Sequence, residues 1–161
     1  GQSAIPYVVY LSQKNIELRG RRAMNILVID GQGGGIGRQI VQSVRAKMPE
    51  ASVTAVGTNS IAAAAMLKAG ANRAATGENS VVVCCRDADV IIGPVAIVIA
   101  DSLLGEITPA MAAAVARSGA KRILVPVNCC NNIIAGVPDL SVGRLVDCVM
   151  EELQKLFLQG K

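Results

Sequence analysis

An apolar run that ends in glycines and gives way at once to a helical pattern constrains this chain more than any other feature. Asn25–Asp30 (NILVID) is apolar at four successive positions and closes on a carboxylate. The next seven residues, Gly31, Gln32, Gly33, Gly34, Gly35, Ile36 and Gly37, include five glycines. From there Ile36, Ile40, Val41, Val44 and Met48 recur at the spacing of one helical face. A strand without polar alternation suits a sheet covered on both sides, which is the parallel kind. The junction therefore predicts strand, loop and helix as the opening of a βαβ unit.

The remainder of the chain repeats this alternation. Ser52–Gly57 reads as a second strand, and Asn59 or Ser60 caps an Ala-rich helix that ends at Ala69, with Gly70 in the terminating position. A short edge strand is expected at 73–75, a helix at 78–86 and a fourth strand at 89–92, broken by Gly93 and Pro94. Thr108 followed by Pro109 is a cap with proline in the first helical position, opening a helix that runs to Ser118 and Gly119. Residues 121–127 make a fifth strand and 133–137 a sixth. A closing helix from Ser141 turns Val142, Leu145, Val146, Val149, Leu153 and Leu156 inward, with Arg144, Asp147, Glu151 and Lys155 outside. The expected fold is α/β: a Rossmann-type three-layer sandwich with a mostly parallel, doubly wound sheet of five to six strands. Residues 24–158 form its single domain. The first 23 residues, which carry both tyrosines and begin Gly1, Gln2, Ser3 in the manner of a cleavage scar, read as a leader or upstream extension, with 6–11 as an added edge strand.

Composition narrows the function classes. The net charge is +4, but Lys14, Arg19, Arg21 and Arg22 against Glu17 place +3 of it in the first 23 residues, so the body is nearly neutral. Trp is absent and Phe157 is the only aromatic after Tyr10, which leaves no stacking platform for bases and argues against nucleic acid as a partner. His is also absent, and with it the commonest metal ligand and general base; no metal site is expected. Five cysteines, Cys84, Cys85, Cys129, Cys130 and Cys148, lack the spacing of a disulfide framework or a zinc site, so reduced thiols in the cytoplasm are expected. No apolar stretch is long enough to span a bilayer. Mean hydropathy is +0.45 and aromatics are 2%, a diet of small aliphatic residues, and part of that apolar surface is expected to be shared in a homo-oligomer.

The glycine loop is the candidate ligand site. Phosphates approach backbone N–H groups only where side chains are missing, and a helix N-terminus adds a positive end. No Lys-Ser or Lys-Thr pair follows the loop, so it is not a P-loop. The order Gly31, three residues, Gly35, Ile36, Gly37 resembles the Thr-Gly-x-x-x-Gly-Ile-Gly loop of short-chain dehydrogenase/reductases, with Asp30 in place of the Thr. That resemblance implies a bound NAD or NADP pyrophosphate. Those enzymes also use a Tyr and a Lys four residues later, and no Tyr lies in the body of this chain, so their proton-transfer chemistry is excluded. The second strand ends in Gly57, Thr58, Asn59 and Ser60 without the acid that would hold a ribose diol, which leaves room for a 2′-phosphate aided by Arg38 or Arg73. The expected cofactor contacts are the loop residues above with Thr58, Asn59, Gly93 and Pro94. Over 24–153, through ILVIDGQGGGIG, AMLKAGA with ATGEN, and DVIIGP through IADSLLGEITPAMA to ILVPVN, the chain resembles a family of small bacterial proteins of unknown function with a Rossmann-type fold.

Other candidates are weaker. Asp101, Ser102, Glu106 and Thr108 follow the fourth strand; Asp101 or Glu106 would serve as acid or base if there is chemistry, against the simpler reading of a solvated helix end. Asn128, Asn131 and Asn132 stand beyond the fifth strand and can contact a base or nicotinamide, or merely form a turn. Cys129 and Cys130 share that loop, where a thiolate could be nucleophilic or redox active but has no His neighbour to activate it; Cys84, Cys85 and Cys148 read as core filler. The resulting expectation is an NAD(P)-binding sensor or regulatory subunit; its rivals are a self-sufficient NAD(P)-dependent oxidoreductase and an oligomeric scaffold that has lost its ligand. Catalytic residues are not identifiable.

Overall fold

The computed structural model describes residues 22–127 and 131–159. Five strands, β1 (Asn25–Asp30), β2 (Ser52–Gly57), β3 (Arg73–Thr76), β4 (Val90–Pro94) and β5 (Lys121–Val125), form one sheet in the order β3-β2-β1-β4-β5, and every pairing is parallel. Helices α1 (Gly35–Lys47), α2 (Ser60–Lys68), α3 (Glu78–Cys84), α4 (Pro109–Arg117) and α5 (Val142–Gln159) cover it, with a 3-10 turn at Val95–Val98.

Side-chain alternation along β1 builds two cores. Ile26 and Val28 point to one face and pack with Ile40 and Val44 of α1, Met66 of α2, and Leu145, Val149 and Leu153 of α5. Leu27 and Ile29 point to the other, with Val81 of α3, Ile97, and Met111 and Val115 of α4. Each side chain of this size contributes roughly 1.5–3 kcal/mol when fully buried. The result is a Rossmann-like three-layer sandwich.

Local signals fix the helix ends. Asn59 Oδ1 accepts from the Ala62 N–H at 2.9 Å and starts α2; Thr108 Oγ1 accepts from the Met111 N–H at 3.2 Å and starts α4 at Pro109.

Several expectations need correction. Residues 133–137 form no strand: Ile133 is 96% exposed, Gly136 takes a left-handed φ of 79°, and the Val137 N–H closes a local turn onto the Ile134 carbonyl. Gly93 and Pro94 do not break β4 but complete it, in register with Leu124 and Val125. A Cβ on Gly93 would stand 2.4 Å from the Ile29 carbonyl oxygen, so the glycine permits the close approach of β1 and β4, while the missing N–H of Pro94 falls at the strand's last residue. β5 stops at Val125, ahead of Pro126, and α3 stops at Cys84. Cys85 is buried, Cys84 half-buried, and Cys148 exposed on the outer face of α5, so Cys148 is not core filler. Val142 is likewise 40% exposed. The leader through residue 21, with the expected edge strand at 6–11, lies outside the described residues. Among the described residues no helix is long and apolar enough to cross a membrane.

Candidate functional site

Chain connections leave β1 toward β2 and β3 on one side, and β4 and β5 lie on the other, so a crevice opens at the C-terminal strand edge where the order reverses. A cavity of about 500 Å³ occupies it, within the range of small-molecule sites. One wall is the loop from Asp30 to Ile36. The others are Pro94 at the end of β4, Pro126 and Val127 beyond β5, and Pro138, Asp139, Leu140, Val142 and Leu145 leading into α5, with Gln39 and Leu103 between.

Three of the loop's glycines answer to packing. Gly34 has a φ of 72°, and its Cβ would lie 2.8 Å from Ala62 Cα, so the loop sits close on α2. At Gly37 a Cβ would meet Met66 Sδ at 2.6 Å, and at Gly31 Thr58 Oγ1 at 2.8 Å and Leu103 Cδ1 at 2.9 Å. Gly33 and Gly35 differ. Neither has a left-handed φ, and a Cβ on either would meet nothing within 4 Å. The N–H groups of Gly33, Gly35 and Ile36 donate to no acceptor among the described residues, and the last two open α1. They carry the orphan donors and the roughly half-unit positive charge of a helix start.

Asp30 organises the loop from beneath. It is 4% exposed; its Oδ1 accepts from the Gly31 N–H and its Oδ2 from the Gly37 N–H, both at 2.8 Å. The second bond satisfies a first-turn donor of α1, whose N-cap Gly34 has no side chain to do so. Burial pushes the Asp30 carboxyl above its ordinary value; the two backbone N–H groups oppose that rise and the charge of Glu106 adds to it. No Lys or Arg is among the described residues lining the cavity, so an anion there would be met by the free backbone N–H groups of the loop.

Beyond β4 the chain makes an unusual loop. Asp101, Leu103 and Leu104 have φ of 65°, 55° and 57°, and Gly105 has 87°. Left-handed backbone costs roughly 1–2 kcal/mol at each non-glycine residue. Burial of Leu103 beside Gly31, and Ser102 Oγ at 2.7 Å from the carbonyls of Ala96 and Ile99, hold the loop in that form. Its purpose is visible at Glu106. Oε1 of Glu106 accepts from Thr58 Oγ1 at 2.9 Å, Asn59 Nδ2 at 2.6 Å and the Gln32 N–H at 3.1 Å; Oε2 accepts only from that same N–H, at 3.2 Å. Desolvation alone would raise the Glu106 carboxyl, but the bonds from Asn59, Thr58 and Gln32 together outweigh it and hold the group below its ordinary range.

Of the residues expected from sequence, Gly31, Gln32, Gly33, Gly34, Gly35, Ile36 and Pro94 line the cavity. Gly37 sits behind the loop and Gly93 inside the sheet. Thr58 and Asn59 stand on the β2 side of the loop, joined to Glu106. Asp101 is exposed and outside the cavity. Asn128, Cys129 and Cys130 lie outside the described residues; Asn131 and Asn132 are exposed and do not line the cavity. Burial pushes the Cys85 thiol up to about 11 and raises Cys84 as well, so neither is a nucleophile at neutral pH. The far wall, residues 126–127 and 138–140, was not expected; its position past the C-terminal end of β5 was the available signal.

No curated protein and no solved structure matches the chain. A family model described as a domain of unknown function (DUF3842) matches residues 25–158. The match spans the sheet, the five helices but for the last residue of α5, and the whole wall of the crevice, and the chain belongs to that DUF3842 family.

Proposed function

We propose that this chain binds a dinucleotide, NAD or NADP, with its pyrophosphate over the glycine loop, and that it works as a sensor or regulatory subunit. The observation that carries this reading is the pair Gly33 and Gly35. No contact within the described protein requires either to lack a side chain, yet both line the cavity with unbonded N–H groups. A ligand that must approach the backbone accounts for both facts. The resemblance of the loop spacing to short-chain dehydrogenase/reductases points to the same chemistry.

Charge favours a dinucleotide over a nucleoside triphosphate. The cavity wall holds Asp30 and Asp139 and, among its described residues, no cation. Backbone dipoles can offset the two charges of a pyrophosphate diester, whereas a triphosphate tail brings about twice as many. A regulatory role is preferred to complete oxidoreductase chemistry because Asp30 has both oxygens tied to backbone N–H groups, and His and the body's Tyr are absent from the sequence. The proposal extends to a homo-oligomer in the cytoplasm.

Thermal-shift and calorimetric titration with NAD, NADP, their reduced forms, FAD and ATP test it. A ligand at one hundred times its dissociation constant should add about 2.7 kcal/mol of stability. Absence of any shift in folded protein overturns the reading.

A further inference from the structure

We infer that Glu106 is the ribose ligand of this site, so that the preferred dinucleotide is one with free 2′ and 3′ hydroxyls, NAD rather than NADP; this rests on the crevice being a dinucleotide site. In open α/β sheets that bind dinucleotides, an acid near the end of the second strand accepts hydrogen bonds from the ribose diol. Here β2 ends without one. The loop after β4 delivers a carboxylate to that same strand end from a distant part of the sequence, within 2.9 Å of Thr58 Oγ1 and 2.6 Å of Asn59 Nδ2.

Glu106 stands on the β2 side of the glycine loop, beside the cavity rather than in its wall, and keeps acceptor capacity on one oxygen. Oε1 is taken by three donors, while Oε2 shares only the Gln32 N–H at 3.2 Å. A carboxylate offers about four lone-pair positions, so Oε2 can still accept. Glu106 is half-buried rather than closed off from solvent. Its anchors fix it against the backbone of the glycine loop, and three non-glycine residues in left-handed conformation are tolerated to bring it there. A 2′-phosphate would set a second anion against this carboxylate. Of the two cations the sequence offers for such a phosphate, Arg73 donates Nε to Thr54 Oγ1 at 2.9 Å instead, and Arg38 is exposed on the first turn of α1.

Calorimetric titration of wild type and Glu106→Gln with NAD and NADP decides the matter. Wild type should favour NAD by about tenfold or more, and in Glu106→Gln the ratio should collapse toward one, through weaker NAD and stronger NADP binding. In wild type alone, adenosine 5′-monophosphate should bind about tenfold tighter than its 2′-deoxy analogue or adenosine 2′,5′-bisphosphate, which reads the diol even if the variant fails to fold. Equal or tighter NADP binding by wild type overturns the inference while leaving the dinucleotide site standing. So does a gain for both nucleotides alike in Glu106→Gln, which would make the carboxylate a latch that occupies the site. Binding of neither nucleotide by wild type overturns the dinucleotide site itself, and the inference with it.

Discussion

Asn59 Nδ2 lies 2.6 Å from Glu106 Oε1 while Asn59 Oδ1 caps α2, so one amide joins the start of a helix to the loop behind β4. Removal of Asn59 should therefore do more than remove a cap. Asn59→Ala is expected to lose about 1 kcal/mol for the cap. In a double-mutant cycle with Glu106→Gln, read by urea unfolding, the pair should show a coupling of at least about 0.5 kcal/mol. Strict additivity would mean that the contact does not hold the loop.

The two carboxylates should shape acid stability in opposite senses. Glu106 titrates below its ordinary value of 4.5 in the folded protein, so its contribution is complete above that value and is lost as pH falls through the folded one. Asp30 titrates above its ordinary 3.8, so between 3.8 and the raised value the folded state holds the proton more tightly, and stability falls as pH rises through that window. Urea midpoints from pH 3 to 7 should thus rise less steeply with pH below 4.5 in Glu106→Gln, and more steeply across the Asp30 window in Asp30→Asn. At neutral pH Asp30→Asn should also cost about 1–3 kcal/mol, because its NH2 faces a backbone N–H that had an acceptor.

Gly37 answers to packing where Gly33 and Gly35 do not. Gly37→Ala places a methyl group against Met66 Sδ and Asp30, and should destabilise the protein by about 1–3 kcal/mol. A thermal midpoint equal to wild type would show that α1 shifts to accommodate it.

Thiol reactivity should separate the described cysteines. With Cys85 held near 11 and buried, and Cys84 raised, both should resist iodoacetamide in native protein at pH 7.5, while exposed Cys148 is alkylated first. Peptide mapping by mass spectrometry reads the order, and early labelling of Cys85 would contradict it.

The fold was legible in the sequence wherever a local period carried it. The uninterrupted apolar face pairs of β1 and the helical spacing of Ile36, Ile40 and Val44 required a buried strand followed by a helix, and both form. Gly93 and Pro94 misled because each disfavours strands on average, whereas here the glycine answers to the Ile29 carbonyl and the proline sits at the last rung. Residues 133–137 misled because an apolar run looks like a strand whether or not a sheet edge receives it. Half of the candidate site, the glycine wall, was local and readable. The role of Glu106 was not, since it depends on partners 47 and 48 residues away in the chain, brought together only when the chain crosses from β3 to β4 on the other side of β1. The wall beyond β5 was hidden for the same reason.

Gly35→Leu tests whether a phosphate seats on the glycine loop. It is the first residue of α1, and its Cβ would stand in open space at the cavity wall, so the variant should fold with wild-type stability or gain up to about 1 kcal/mol in helix propensity. Titrated calorimetrically with NAD beside wild type, it should show binding reduced at least about tenfold, because the side chain fills the approach to the N–H groups of Gly33, Gly35 and Ile36. Wild-type NAD affinity in a folded Gly35→Leu protein would contradict a phosphate seat on this loop.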